Sequence, residues 1–242
     1  MPIRVFLLPL PMHKPSFFIS FLAAISMCSA APAGEPIALF NGRDLSGWKT
    51  PDDVKWAWSV QDTVIRGITD ENAHGKELWS EKEYGDFVLK LDWLMPDKPV
   101  QKMLKIILPN GDDALNPDGT KKKEEVLFGG DSGILIRGDV MSQINIGCKS
   151  AGSGELYGYR KKKLDMSPEV RAACVPKLRA DKPPGEWNQF IITAKGNRVT
   201  VELNGKIVIE NAEMPDLPAR GPIALQHHGE GIEFRNVSIQ EL

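Results

Sequence analysis

Apolar and polar residues alternate one by one along several stretches of this chain, and that period of two commits them to half-buried β-strands. In Phe87-Val-Leu-Lys-Leu-Asp-Trp93, the residues Phe87, Leu89, Leu91 and Trp93 share one face. Phe190, Ile192 and Ala194 do the same, as do Val199, Val201 and Leu203. Asn204-Gly205 then supplies the two positive φ angles of a type I′ turn, so Arg198 to Ile209 reads as a hairpin. Ile223–Gln226 and Ile232–Ile239 give two further strands, and the slip in alternation at Asn236 predicts a bulge. No long helical period separates these strands. The fold class is therefore all-β, an antiparallel sandwich or jelly roll rather than a parallel α/β sheet. One short helix is expected at Pro168–Ala173, with Ser167 as its cap and Pro168 at its first position. The stretch Pro96 to Glu125 is polar apart from Met103–Leu108, and reads as a long hairpin excursion or a mobile loop.

With 242 residues, the chain has room for one domain and at most two. Thirty Lys+Arg against 32 Asp+Glu leave a formal charge of −2, too little to give the field of a general nucleic-acid binder. Residues 1–33 have the pattern of a secretory leader. Arg4, His13 and Lys14 are followed by the apolar run Ser16–Ile25 and by small residues, with cleavage expected after Ala31 or Ala33. Met12 is an alternative start. The expected organisation is a leader over 1–33 and one sandwich domain over 34–242, in a secreted or periplasmic protein. Cys28 leaves with the leader. Cys148 and Cys174 remain, either as a disulfide closing the loop between them or as two separate buried thiols.

The sequence holds no nucleophile elbow, HExxH, P-loop or dinucleotide fingerprint. The lysine runs 121–123 and 161–163 read as solvated loop. Four places bring polar groups to a sheet face, a loop or a strand end. Around Ser132–Arg137, Ile134 and Ile136 face one way, Leu135 and Arg137 the other. In Gln143-Ile-Asn-Ile146, Gln143 and Asn145 turn away from the core together, offering directed donors and acceptors that suit sugar hydroxyls. Gly152–Arg160, read as a loop by its glycines, gathers Glu155, Tyr157, Tyr159 and Arg160. Aromatic faces stack on sugar C–H surfaces, while Glu and Arg bind hydroxyls or move protons. His227-His228 ends a strand before Gly229, and alternation lets only one of the two face a cleft. Each cluster also has a structural reading, as a wet sheet face, a turn or a packed histidine.

These residues also carry a family likeness. Leu39-Phe-Asn-Gly-Arg-Asp-Leu-Ser-Gly-Trp48 resembles the opening of the 3-keto-disaccharide hydrolase domain family, formerly a domain of unknown function. Leu78-Trp79, Tyr84-Gly-Asp-Phe87, Asp131-Ser-Gly-Ile-Leu-Ile-Arg137, Gly154-Glu-Leu-Tyr-Gly-Tyr159, Gly185-Glu-Trp-Asn188, Asn204-Gly205, Gly221–His228 and Phe234-Arg-Asn-Val237 follow in family order. The likeness spans about Pro36 to Leu242 and implies a concanavalin-like β-sandwich acting on glycosides oxidised at C3 of the sugar.

A 3-keto group acidifies the C2 proton, so a modest base can remove it, the anomeric substituent leaves by β-elimination, and water adds back. On this resemblance Glu155 and one of His227 or His228 are the expected base and acid, in unassigned order. Arg137 is expected to polarise the ketone. Trp79, Asp131, Gln143, Asn145, Tyr157, Tyr159 and Arg160 are expected to hold the sugar. A divalent metal ion could replace Arg137 as the electrophile. One departure stands out: Ser142 and Gly147 occupy positions where family members often carry acids, which shifts weight to Glu155. The expected partner is a carbohydrate substrate, with no nucleic acid and no membrane after leader cleavage. Two other readings use the same sandwich, a non-catalytic carbohydrate-binding module and an envelope scaffold that binds a protein at a sheet edge.

Overall fold

The computed structural model describes residues 1–2 and 34–242, apart from 97, 148–149 and 162–165. Most of the expected leader and Cys148 therefore lie outside the described residues. Pro32–Leu242 forms one compact unit. Its strands in chain order are β1 (Ile37–Ala38), β2 (Trp48–Lys49), β3 (Trp58–Gln61), β4 (Val64–Gly67), β5 (Leu78–Tyr84), β6 (Phe87–Leu94), β7 (Val100–Lys105), β8 (Lys123–Phe128), β9 (Asp131–Ile136), β10 (Asp139–Gly147), β11 (Asn188–Lys195), β12 (Arg198–Leu203), β13 (Lys206–Glu213), β14 (Gly221–Leu225) and β15 (Ile232–Glu241). The helices are α1 (Asp52–Lys55), α2 (Tyr157–Lys161) and α3 (Pro168–Ala173).

All strand pairs are antiparallel. An eight-stranded sheet runs β13-β12-β11-β6-β15-β4-β3, with β1 also on β15, and a five-stranded sheet runs β10-β9-β14-β5-β2. The strands β7 and β8 form a separate hairpin, as the polar stretch around an apolar centre suggested. The two large sheets share one core. Phe87, Leu89, Leu91, Phe190, Ile192 and Val201 enter it from one sheet, and Ile134, Ile136, Ile144, Ile146, Ile223 and Leu225 from the other. Burial of these alternate residues is the main driving force for the sandwich.

The local expectations hold in detail. Asn204 and Gly205 have φ of 52° and 77°, both left-handed as a type I′ turn requires. Asn236 has φ of 53°, and the pairing of β15 with β6 shifts between Arg235 and Ser238. This bulge lets the Asn236 side-chain amide donate to Asp92 Oδ2 at 2.7 Å. Ser167 Oγ accepts the Val170 amide at 3.3 Å and caps α3.

The segment expected as a loop over Gly152–Arg160 is different. Ser153–Leu156 runs along β10, with Asn145 N donating to Glu155 O and Gly154 N donating to Asn145 O, both at 2.8 Å. Then α2 begins at Tyr157. A Cβ on Gly158 would collide with the Met141 carbonyl, so this glycine lets the helix lie flush on β10. Its signature looked like a turn former and is a packing device.

Two of the motifs that carry the family likeness are architecture. In the first, Asn41 Oδ1 accepts the amides of Arg43 and Asp44, and Asp44 Oδ1 accepts the Ser46 amide at 2.9 Å. Hydrogen bonds from Ser46 and Asn41 pull the Asp44 carboxyl down to about 2. Trp48 then closes the loop by donating its indole N–H to Leu39 O at 3.0 Å. The second motif ends in Arg137, which is buried. Its guanidinium donates to the carbonyls of Gly85, Gly196 and Pro218 and to Asp86 Oδ1. Asp86 also accepts the Gly196 amide at 2.8 Å. Arg137 thus ties three turns together.

Candidate functional site

The outward face of the five-stranded sheet is the floor of a cleft of about 520 Å³. Alternation puts Gln143 and Asn145 of β10 on this face, because Ile144 and Ile146 take the core side. Gln143 Nε2 donates to Gln226 Oε1 at 2.7 Å. The two amides meet over Gly133 of β9, where a Cβ would come within 2.8 Å of Gln143 Cγ and 3.0 Å of Gln226 Oε1. Beside them, Asn145 Nδ2 donates to Asp131 Oδ1 at 2.9 Å. The result is a pre-ordered band of carboxamide and carboxylate groups, each held by a neighbour.

Three walls rise from this floor. Tyr157 and Arg160 of α2 form one, Lys105 and Lys123 of the β7–β8 hairpin form another, and His74 and His228 form the third. Arg160 is largely buried yet borders the cleft. Its Nε donates to Glu155, its Nη1 donates to Gly111 O at 3.1 Å, and Asp113 Oδ1 stands 3.9 Å away. Glu155 faces Asn145 across the strand pairing, fully covered, with Arg160 bonded to it. Glu155 was expected as a base or acid on the substrate; the fold instead places it behind Arg160, outside the cleft lining.

The histidine pair divides as alternation requires. His228 lines the cleft, its ring 4.4 Å from that of His74 and its Nδ1 3.5 Å from Glu230 Oε2. Burial alone would raise the Glu230 carboxyl, but its interaction with His228 and a bond from its own amide hold it below the usual range. His227 turns inward. It packs edge-on against Trp58 at 5.1 Å, and its Nδ1 accepts the Gly229 amide at 3.1 Å. Burial lowers its pKa, so it is a neutral core histidine and not the cleft base.

The tyrosines divide in the same way. Tyr157 faces the cleft, with Lys161 Nζ 5.3 Å above its ring. Tyr159 is buried in the core, its hydroxyl 3.5 Å from Asp139 Oδ2, and burial raises its pKa. Trp79 is half-buried on β5, paired with Ala224, outside the cleft lining. Arg137 is likewise outside it, because its hydrogen bonds hold it among the turns around Gly85, Gly196 and Pro218. Of the expected residues, the cleft collects Asp131, Gln143, Tyr157, Arg160 and His228. Asn145 supports it from beside Asp131. Cys174 is a buried free thiol, pushed up to about 12 by burial.

The sequence reading missed His74, Gln226 and the hairpin lysines. Gln226 was accessible to the same alternation rule that found Gln143, since it lies two residues beyond outward-facing Ala224. His74 follows a single 3-10 turn at Glu71–Ala73, and nothing local marks it.

Comparison with known proteins then places the chain. Residues 35–240 match the profile of the 3-keto-alpha-glucoside-1,2-lyase-like domain. The chain belongs to this family. Among curated proteins none matches. This chain is similar to two solved candidate glycosyl hydrolases from Parabacteroides distasonis. One is 21% identical with a TM-score of 0.53, over 86% of this chain and 94% of that one. The other is 23% identical with a TM-score of 0.49, over 86% and 100%. It also resembles the carbohydrate-binding module CBM66 from Bacillus subtilis, 15% identical with a TM-score of 0.45 over 81% and 96%. The first of these supports the sandwich fold.

A metal was one expected electrophile for this family member. Among the described residues, no group of three or more His, Cys, Asp or Glu side chains is gathered to hold one. Arg160 is a cation that the fold brings to the cleft beside the amide floor. Among the described residues, no helix is long and apolar enough to cross a membrane.

Proposed function

We propose that the protein cleaves glycosides oxidised at C3, by proton abstraction at C2, β-elimination of the anomeric substituent and hydration of the product. The observation that carries this reading is that His228 and Arg160 open on one cleft whose floor presents the paired amides of Gln143 and Gln226. These are the groups the chemistry needs: a base, a cation for the developing enolate oxygen, and fixed partners for hydroxyls.

In this scheme His228 takes the C2 proton, and the electron pair moves toward the C3 oxygen, where Arg160 stabilises it. The enolate then expels the substituent at C1 as the C1–C2 double bond forms. The Tyr157 phenol protonates the departing oxygen. Water then adds at C1, giving its proton to the Tyr157 phenolate, while the His228 imidazolium, which is open to solvent and exchanges its proton there, returns a solvent proton to C2. Glu155 is a positioning residue that fixes the Arg160 guanidinium and balances its charge. Asp131, steadied by Asn145, and the two glutamines hold sugar hydroxyls. The leader pattern over residues 1–33 supports an exported protein, secreted or periplasmic.

The test compares the purified chain on a 3-keto-disaccharide and on its unoxidised parent, with chelator and without, following release of both sugars. The reading predicts cleavage of the keto form alone. Binding of the unoxidised glycan with no turnover of either form would favour the carbohydrate-binding module instead.

A further inference from the structure

Lys105 and Lys123 stand directly across from one another in the β7–β8 hairpin, and both line the cleft. Like charges at opposed positions disfavour a strand pair unless something lies between them to offset the repulsion. Lys161, at the end of α2, lines the same cleft from the helix wall. Lys121 adds a fourth ammonium, and it and Lys161 hold the Lys105 ammonium below the ordinary lysine range.

The carboxylates in reach are already engaged. Asp113 accepts from Lys121 at 2.6 Å and sits beside Arg160, and Asp131 accepts from Asn145. Among the described residues, Lys105, Lys123 and Lys161 have no carboxylate partner, whereas Lys76 and Lys177 elsewhere on the surface do. The chain as a whole carries −2, so this excess of positive charge belongs to the cleft and not to the protein. A neutral sugar would leave three ammonium groups facing one another over it.

We propose that the cleft is built for an anionic glycoside, whose carboxylate, sulfate or phosphate group is received between Lys105, Lys123 and Lys161. The neutral amide floor takes the ring hydroxyls, and the lysine wall takes the charge. This rests on the cleft being the sugar site described above, and adds the class of sugar.

The test is calorimetric titration of the purified protein with methyl glucuronide, glucose 6-sulfate and methyl glucoside, at about 20 and about 300 mM NaCl. At low salt one or both anions should bind at least about tenfold more tightly than the glucoside. The two anion arms show which acid group fits. That ratio should fall toward one at high salt and in the Lys105→Gln/Lys123→Gln variant, in which both changed side chains are exposed. Equal affinity for charged and neutral sugars, a preference that survives in the variant, or no binding of any of the three would overturn the proposal. Anion preference without cleavage of any keto sugar would remove the proposed chemistry and leave this inference standing. Cleavage of a neutral 3-keto-disaccharide with no anion preference would do the reverse.

Discussion

Gln143 donates its side-chain amide to Gln226 at 2.7 Å, directly over the bare backbone of Gly133. The pair exists because β9 has no side chain at that point. Gly133→Ala would place a methyl 2.8 Å from Gln143 Cγ and 2.9 Å from its Nε2, and both amides would have to turn away. The side chains are flexible, so the fold should survive while the floor does not. We expect KM for the keto sugar to rise about tenfold, with kcat less affected and Tm lowered by only a few degrees. Steady-state kinetics beside a thermal melt checks this.

Arg137 is the most recognisable charged residue of its motif, yet the fold uses it to tie the turns around Gly85, Gly196 and Pro218 to Asp86. Arg137→Met takes their guanidinium donor from three carbonyls and leaves Asp86 with only the Gly196 amide, a loss of about 3–5 kcal/mol. Urea unfolding should show that loss. The folded fraction should keep its kcat, because Arg137 does not border the cleft.

Glu155 and Arg160 should behave in the opposite sense. Glu155→Gln removes the carboxylate under a largely buried guanidinium, so stability should fall by about 3 kcal/mol. Activity should fall with it, chiefly in kcat, because Arg160 loses the group that orients it. A double change of Glu155→Leu with Arg160→Met should recover much of the stability and none of the activity. Chemical denaturation and kinetics on the same preparations separate these effects.

His227 gives a pH signature. Burial holds its pKa in the fold below the ordinary 6.5. Between the two values the unfolded chain binds a proton that the folded chain does not, so stability rises with pH there. The contribution is complete above about 6.5 and is lost as pH falls below it. His227→Asn keeps an acceptor for the Gly229 amide but cannot titrate. It should cost about 1–3 kcal/mol at pH ~8, and the gap from the parent should narrow at pH ~5.5. Urea midpoints at the two pH values test this.

The fold was legible in the sequence because alternation reports burial directly. Phe87 to Trp93 and the Asn204-Gly205 hairpin needed no tertiary knowledge, and even the Asn236 bulge showed as a slip in period. The same rule correctly turned Gln143 and Asn145 outward, and allowed only one of His227 and His228 to reach a cleft. It failed where a residue's neighbours come from far along the chain. Nothing near Arg137 announces the carbonyls of Gly196 and Pro218, so a structural arginine looked like an electrophile. Nothing near Glu155 shows that Arg160, five residues on, folds back onto it as α2 packs on β10. Lys123 read as solvated loop and nothing singled out Lys105 until the hairpin set the two opposite one another above the cleft.

The central claim is that His228, and not Glu155 or His227, removes the C2 proton of a 3-keto-glycoside. The most direct measurement follows a C2-deuterated 3-keto-disaccharide by NMR, with the parent protein and with His228→Gln. The account predicts that the parent releases the C2 deuteron to solvent as it cleaves, and that His228→Gln slows both processes together by about 10²–10⁴-fold. Cleavage with the deuteron retained at C2, or an unimpaired His228→Gln variant, would contradict it.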